Sequence, residues 1–332
     1  MTKNTKANIT LIFAISKRNT ELSKALDAIA RQTDKNCNLV FVFNGCGTSE
    51  KDTFKKFDFN GFNKVDYVMF SENLGDVYSF EYVSKNNLQT KYYYYFDCNV
   101  ILMPDFIATL NQFVEKNSDA DVVSFFGVPN IYFKEPHLVI KTMSDDFCHR
   151  PLVFFDNKLI SIEYIRKNKI TEQKFKNYPL LYYVMLAKYN PKWYSLGRQI
   201  CSSSTKPSYS YNIMDLFEQC QEIVNMLDQK WYKDHYSEIE YLCIVTLFRN
   251  FIYAVYKKNK SNFFFLRRIL NKVEDFVDCN FPNWTQNKWL YSEKNKNDAT
   301  YLEYLREFKP KIIHVLRALS NKLLVQGHAK HK

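Results

Sequence analysis

The 332-residue chain is predicted to form an α/β fold: a mainly parallel sheet with helical crossovers, followed by a helical C-terminal region. Three features predict it. In the first hundred residues, apolar runs of strand length alternate with segments of helical periodicity. The block Tyr92-Tyr93-Tyr94-Tyr95-Phe96 is a continuous aromatic run suited to a buried strand, and it ends abruptly in Asp97-Cys98-Asn99, with an apolar helix opening from Val100 onward. From about Ile213 onward the pattern is helical, with no repeat and no low-complexity linker.

The elements follow in order. Ile9–Ser16 reads as a buried, largely apolar strand of the kind covered on both faces. Residues 19–32 have Leu22, Leu26 and Ile29 on one helical face, with Asn19 or Thr20 as cap. Residues 38–43 form a second strand running into the turn Asn44-Gly45-Cys46-Gly47. Lys64–Phe70 is a third, leading to Asn73-Leu74-Gly75 and another helix. Strands separated by helices imply right-handed parallel crossovers. After the aromatic strand, Pro104 is placed to open a helix, since its missing N–H is unpaired there anyway. Residues 121–127, 131–133 and 152–155 read as further strands, and Pro179–Lys188 as a helix. Residues 201–208 are polar and turn-rich, the clearest boundary signal. The domains expected are 1–213 and 214–332.

A carboxylate at the end of a central parallel strand lies where open α/β sheets place ligand groups, outside the carboxyl edge. The plainer alternative is an Asp that merely caps a turn. In their order, the opening strand, the Asn-Gly-Cys turn, Asn73-x-Gly75 and the Phe-Asp-x-Asn strand end resemble the GT-A fold of family 2 glycosyltransferases. Phe281-Pro282-Asn283-Trp284, with Asn287-Lys288-Trp289-Leu290 after it and Glu238-Ile239-Glu240-Tyr241-Leu242 before it, looks like the helical tail of bacterial members. These include membrane-bound glycolipid synthases of wall-less bacteria. The Pro-Asn-Trp segment also reads as an ordinary interhelix turn with a packed Trp.

The resemblance implies a nucleotide-sugar site at Ser16, Asn44, Asn73 and Asp97, for a donor of the UDP-sugar type. It also implies a divalent metal, Mg²⁺ or Mn²⁺, at Asp97 and Asn99, where the family carries Asp-x-Asp. Asn99 departs from that pattern, and an amide brings no negative charge to a hard cation. The family's base-bearing Glu-Asp pair aligns with Lys176 and Asn177, neither of which accepts a proton well at neutral pH. Glu172, Asp145 and Asp146 are the nearby carboxylates that could substitute. The uracil-contacting Asp is Asn44, whose amide oxygen can still accept from a base N–H. The Arg-Asn expected after Asn-x-Gly reads Phe80-Glu81, which removes a cation from the phosphates.

Charge and composition bound the partners. The chain carries a formal +11, and residues 249–332 hold 17 Lys and Arg against 7 Asp and Glu, a net of +10. A near-neutral first part joined to a basic tail implies an acidic partner, either anionic lipid or nucleic acid. Residues 311–324 place Ile312, Leu316, Leu319 and Leu323 on one face, bordered by Lys311, His314, Arg317 and Lys322, a membrane-interface pattern. Residues 263–270 again mix Phe with Arg. Amphipathic core helices with solvated cations are the competing explanation. No nucleic-acid motif is present, so none is expected as partner. The eight cysteines form no C-x-x-C pair or metal spacing and read as reduced thiols of a cytosolic protein. No signal-peptide pattern and no membrane-spanning run is found.

Together these imply a hexosyltransferase acting on a lipid or glycan acceptor, peripheral on the inner face of the membrane. A catalytically weakened homologue that binds a paralogous glycosyltransferase, lipid or glycan is the alternative.

Overall fold

A computed structural model describes residues 7–16, 21–86, 90–126, 139–140, 158–170, 179–203, 215–226, 229–252, 255 and 263–291. These fall into two compact units, residues 7–203 and 215–291.

In the first unit, β1 (Ile9–Ser16), β2 (Asn38–Asn44), β3 (Lys64–Phe70) and β4 (Tyr92–Asp97) lie side by side in the order β3-β2-β1-β4, all parallel. Helices α1 (Leu22–Ala30), α2 (Thr48–Phe54) and α3 (Asp76–Asn86) connect them. The sheet then continues as β8-β6-β9-β7. Here β6 is Val122–Phe126, β7 Val139–Ile140, β8 Lys158–Ser161 and β9 Trp193–Gln199. Strand β8 runs antiparallel to both neighbours, so the sheet is parallel in one half and mixed in the other.

Alternation along the strands sorts the core into two layers. Leu11, Phe13 and Ile15 of β1, Phe41 and Phe43 of β2, and Tyr94 and Phe96 of β4 face one way. They pack with Leu22, Leu26 and Ile29 of α1 and with Phe106, Leu110 and Phe113 of α4 (Phe106–Lys116). Phe13 and Phe96 meet at a tilt, 5.0 Å between centroids, Tyr94 and Phe125 edge-on, also 5.0 Å, and Tyr94 stacks on Phe96 at 4.8 Å. Tyr93 and Tyr95 face the opposite way. There Phe80 of α3 lies edge-on to Tyr95 at 6.2 Å and to Tyr182 of α6 (Pro179–Lys188) at 5.8 Å. The short α5 (Ile162–Lys167) leaves β8, capped by the Ser161 hydroxyl. Burial on both faces is why these strands are unbroken apolar runs.

Three expectations are corrected. Residues Val100–Leu102 open no helix. They form β5, paired antiparallel with β10 (Cys201–Ser203), which the sequence presented as loop. Pro104 precedes α4, whose cap is Asp105. The amide of Ile107 in that helix finds its acceptor in Gln32 Oε1 at 3.1 Å, while Gln32 Nε2 donates to Met103 O at 2.7 Å. Helix α1 has Glu21 in the cap position; Asn19 and Thr20 lie outside the described residues, as do the strands expected at 131–133 and 152–155 and the helix at 311–324.

The second unit is helical among its described residues: α7 (Asp215–Met226), α8 (Gln229–Asp234), α9 (Tyr236–Ile244) continuing as a π-turn segment, and α10 (Phe263–Asn280). Phe281 and the 3-10 turn Trp284–Gln286 close it. Trp284 is buried, stacked on Phe248 at 5.4 Å, and its indole N–H donates to Asp278 at 2.9 Å. The Pro-Asn-Trp segment is an interhelix turn with a packed Trp. Asn287 ties this turn to α9, donating to Ser237 O at 2.7 Å and to Glu240 Oε2 at 2.5 Å.

Candidate functional site

The register of the parallel strands brings three sequence-chosen positions to one edge. Ser16 lies opposite Asn44, Asn44 opposite Phe70, and Ala14 opposite Asp97. Directly paired residues share a face, so Ser16, Asn44 and Asp97 all belong to the face that α3 covers. This is the carboxyl edge, where the backbone of every strand in this half turns away from the sheet.

Two turns are locked together above β2. Gly45 has φ +69°, and its N–H donates to Phe70 O at 3.2 Å. A Cβ there would stand 2.6 Å from the Asn73 amide nitrogen and 2.9 Å from the Glu72 carbonyl carbon. Only glycine permits that approach. Asn44, 2% exposed, holds the second turn. Its Oδ1 accepts from Leu74 N–H at 2.8 Å, and its Nδ2 donates to Ser79 Oγ at 3.2 Å and Gly75 O at 3.5 Å. Asn73 is exposed, and its Oδ1 accepts from Gly75 N–H at 2.9 Å. The Asn44 amide is therefore the lock of the 73–75 turn, a task the sequence did not disclose.

At the end of β4, Asp97 is half-buried and bound to Asn99 through both oxygens. Oδ1 accepts from the Asn99 backbone N–H at 2.8 Å, and Oδ2 accepts from Asn99 Nδ2 at 2.6 Å. Two residues earlier on the same face, the buried Tyr95 hydroxyl donates to Asp76 Oδ1 at 2.9 Å. Burial, then the charge of Asp76, then its hydrogen bond to Asp76, then the charge of Asp97 hold this phenol well above its ordinary range. Asp76 starts α3, where the helix dipole favours an acid. Asp76, Ser79 and Tyr95 were missed by the sequence reading. The available signal was the acid directly after Gly75 and the two-residue spacing from Tyr95 to Asp97.

The thiols beside this edge are quiet. Cys46 donates to Ile15 O at 2.7 Å, and burial, reinforced by Glu50, pushes it up to about 11. Cys98 is buried and donates to Ala14 O at 3.6 Å. Neither is poised as a nucleophile.

Phe80 and Glu81, where the resemblance expects a cation near the phosphates, hold none. Phe80 is buried against Tyr95 and Tyr182. Glu81 is half-buried with Oε1 lacking any hydrogen-bond partner, and desolvation, only partly offset by Lys85, pushes its carboxyl up to about 7. Lys176, Asn177, Glu172, Asp145 and Asp146 lie outside the described residues. Among the described residues no three His, Cys, Asp or Glu side chains are grouped to hold a metal ion. Nor is any helix there long and apolar enough to cross a membrane.

No protein-family model matches this chain, and no curated protein sequence does. Solved structures do. The 1–349 fragment of S. aureus TarS in complex with UDP-GlcNAc superposes with a TM-score of 0.62 at 15% identity, covering 95% of this chain and 92% of that one. Another structure of that fragment gives 0.60 at 14% with the same coverage. The mannosyltransferase PcManGT from Pyrobaculum calidifontis, in complex with GDP-Man and Mn²⁺, gives 0.53 at 10%, covering 97% and 88%. At such identities the likeness shows architecture: this chain has the GT-A α/β fold followed by a helical region.

Proposed function

We propose that the chain is a hexosyltransferase of the family 2 type that binds a nucleotide sugar, of the UDP class, at the carboxyl edge of β1, β2 and β4. The observation that carries this is the gathering of Ser16, the Asn44–Gly45 turn and Asp97 on one face of that edge, in a fold that TarS uses with UDP-GlcNAc. The Asp97 carboxylate is an acceptor suited to sugar hydroxyls rather than to phosphate, which favours a ribose position beside β4. The Asn44 lock fixes the two turns that would flank the base. Ser16 supplies a hydroxyl at the end of β1, between them.

The acceptor is a lipid or glycan at the inner membrane face, an assignment that rests on the basic excess of residues 249–332. The second reading, a homologue that binds but turns over slowly or not at all, is favoured by Phe80 and Glu81 standing where a cation is expected. Its partners would be lipid, glycan or a paralogous glycosyltransferase.

The test is calorimetric titration of the chain with UDP-GlcNAc, UDP-glucose, UDP-galactose and GDP-mannose, together with donor hydrolysis. A saturable UDP-sugar site that Asp97→Ala weakens at least tenfold is expected. Hydrolysis or transfer separates the two readings. No binding of any nucleotide sugar would remove the first reading.

A further inference from the structure

The pair Asp97 and Asn99 does not fit a divalent cation. A hard cation is held by oxygen atoms with lone pairs turned inward and carrying net negative charge. Here the pair brings one carboxylate, and each of its oxygens already accepts an N–H of the same residue, at 2.8 Å and 2.6 Å. The amide assignment is fixed by chemistry. Two oxygens at 2.6 Å would repel, so the NH₂ faces Asp97 and presents a positive dipole end where a metal would sit. Turning the amide oxygen inward would break a charge-assisted hydrogen bond and supply only a neutral ligand.

We propose that this site takes its nucleotide without a divalent cation, the Asn99 amide standing as the fixed counterpart of the Asp97 carboxylate. The proposal rests on the nucleotide-site reading above. It deepens that reading by naming the cofactor class the site does without. In an Asp-x-Asp site two carboxylates at this spacing repel until a cation separates them. In this chain the internal pair removes that demand, so the carboxylate is oriented before any ligand arrives.

The experiment has a metal arm and a nucleotide arm, both on the full chain. In the first, Mn²⁺ is titrated alone and followed by electron paramagnetic resonance, with native protein, Asp97→Ala, Asn99→Ala and Asn99→Asp. Native protein should hold Mn²⁺ no better than Asp97→Ala does. Asn99→Asp, which sets a second carboxylate against Asp97, should bind it at least tenfold more tightly than native. In the second arm, UDP is titrated in EDTA and in 1 mM-range Mn²⁺ (about that level suffices to fill a weak site). Its Kd should agree within about twofold between the two. Native Mn²⁺ binding that falls tenfold on Asn99→Ala overturns the proposal, as does UDP binding that needs Mn²⁺. If UDP does not bind in either condition, the nucleotide reading fails, while the metal arm still decides whether Asp97 and Asn99 form a cation site. Should Asn99→Asp not fold, native protein against Asp97→Ala decides it.

Discussion

Replacing Gly45 by Ala tests whether the two turns above β2 are one locked unit. The native φ of +69° costs an alanine about 1–2 kcal/mol. The added methyl would also stand 2.6 Å from the Asn73 nitrogen and 2.9 Å from the Glu72 carbonyl carbon. Both are backbone atoms, so no side chain can swing aside, and the turns must separate at an overpacking cost of about 1–3 kcal/mol. The total is about 2–5 kcal/mol. For a domain of this size that lowers Tm by about 4–20 °C. Gly61→Ala is the matched control. Its φ is +94°, but its methyl would meet only the flexible Lys35 Cδ at 3.1 Å, leaving the conformational cost of about 1–2 kcal/mol. Scanning calorimetry on both variants, with hydrogen exchange of the 38–48 and 70–79 peptides, checks the result. A Gly45→Ala protein no less stable than Gly61→Ala, or one whose 70–79 amides keep native protection, would refute the reasoning.

Three further outcomes follow from the same geometry. Glu81, raised to about 7 from an ordinary 4.5 by burial, binds its proton more tightly folded than unfolded; stability should fall as pH rises from about 4.5 to 7 and then level off. Glu81→Gln should abolish that fall and gain about 1–2 kcal/mol above pH 7 after allowance for partial solvent screening; urea midpoints at pH 5 and pH 8 that shift equally would refute it. Asn287→Ala removes the donor to Glu240 Oε2 and Ser237 O, and a buried carboxyl losing its donor costs about 1–3 kcal/mol; an unchanged Tm would show that water fills the gap. The basic excess of residues 249–332 predicts sedimentation with anionic but not neutral liposomes, weakening as salt rises, and deletion of residues 309–332 should reduce it; equal binding to both vesicle types would count against lipid.

The parts of the fold that the sequence disclosed are those whose signal is local. β1, β2 and β4 are apolar runs because they are covered on both faces, and Asp97 stands out because it ends such a run. β5 and β10 were hidden for the opposite reason. Three residues, Val100 to Leu102, become a strand only because Cys201 to Ser203 come back to pair with them from a hundred positions away. Neither segment has the length to show a period, and the serines of the second resemble a loop. The antiparallel β8 was missed likewise, four residues whose place between β4 and β6 is a matter of topology. The delayed start of α4 depends on Gln32, a residue of another element that supplies the acceptor for Ile107. At the site, the positions were legible and the tasks were not. Asn44 looks like a ligand contact in sequence, and only the fold shows its amide turned toward Leu74, Gly75 and Ser79.

The surroundings of Asp97 suit an amide at position 99 better than a second acid. A second carboxylate at 99 would need a positive charge nearby, and the position that resembles the cation-bearing one is Phe80, sealed between Tyr95 and Tyr182. The next residue is a carboxyl that burial already drives toward its neutral form. With Asp76 also on this face, bonded to Tyr95, a further negative charge would face repulsion without relief. The amide at 99 is thus the residue that suits its surroundings, since it satisfies Asp97 and adds no charge. Restoring one acid changes the sign of one interaction inside a set tuned to the opposite choice, and groups that act as a unit do not respond additively. Metal affinity can be regained at Asn99 alone because it depends on two carboxylates in contact. On the proposed function, turnover would depend in addition on a base at the position that the resemblance aligns with Asn177 and on charge at the phosphates. An Asn99→Asp chain that binds Mn²⁺ yet transfers no sugar is therefore the expected partial result, and pairing it with Asn177→Asp is the first combination in which activity should rise.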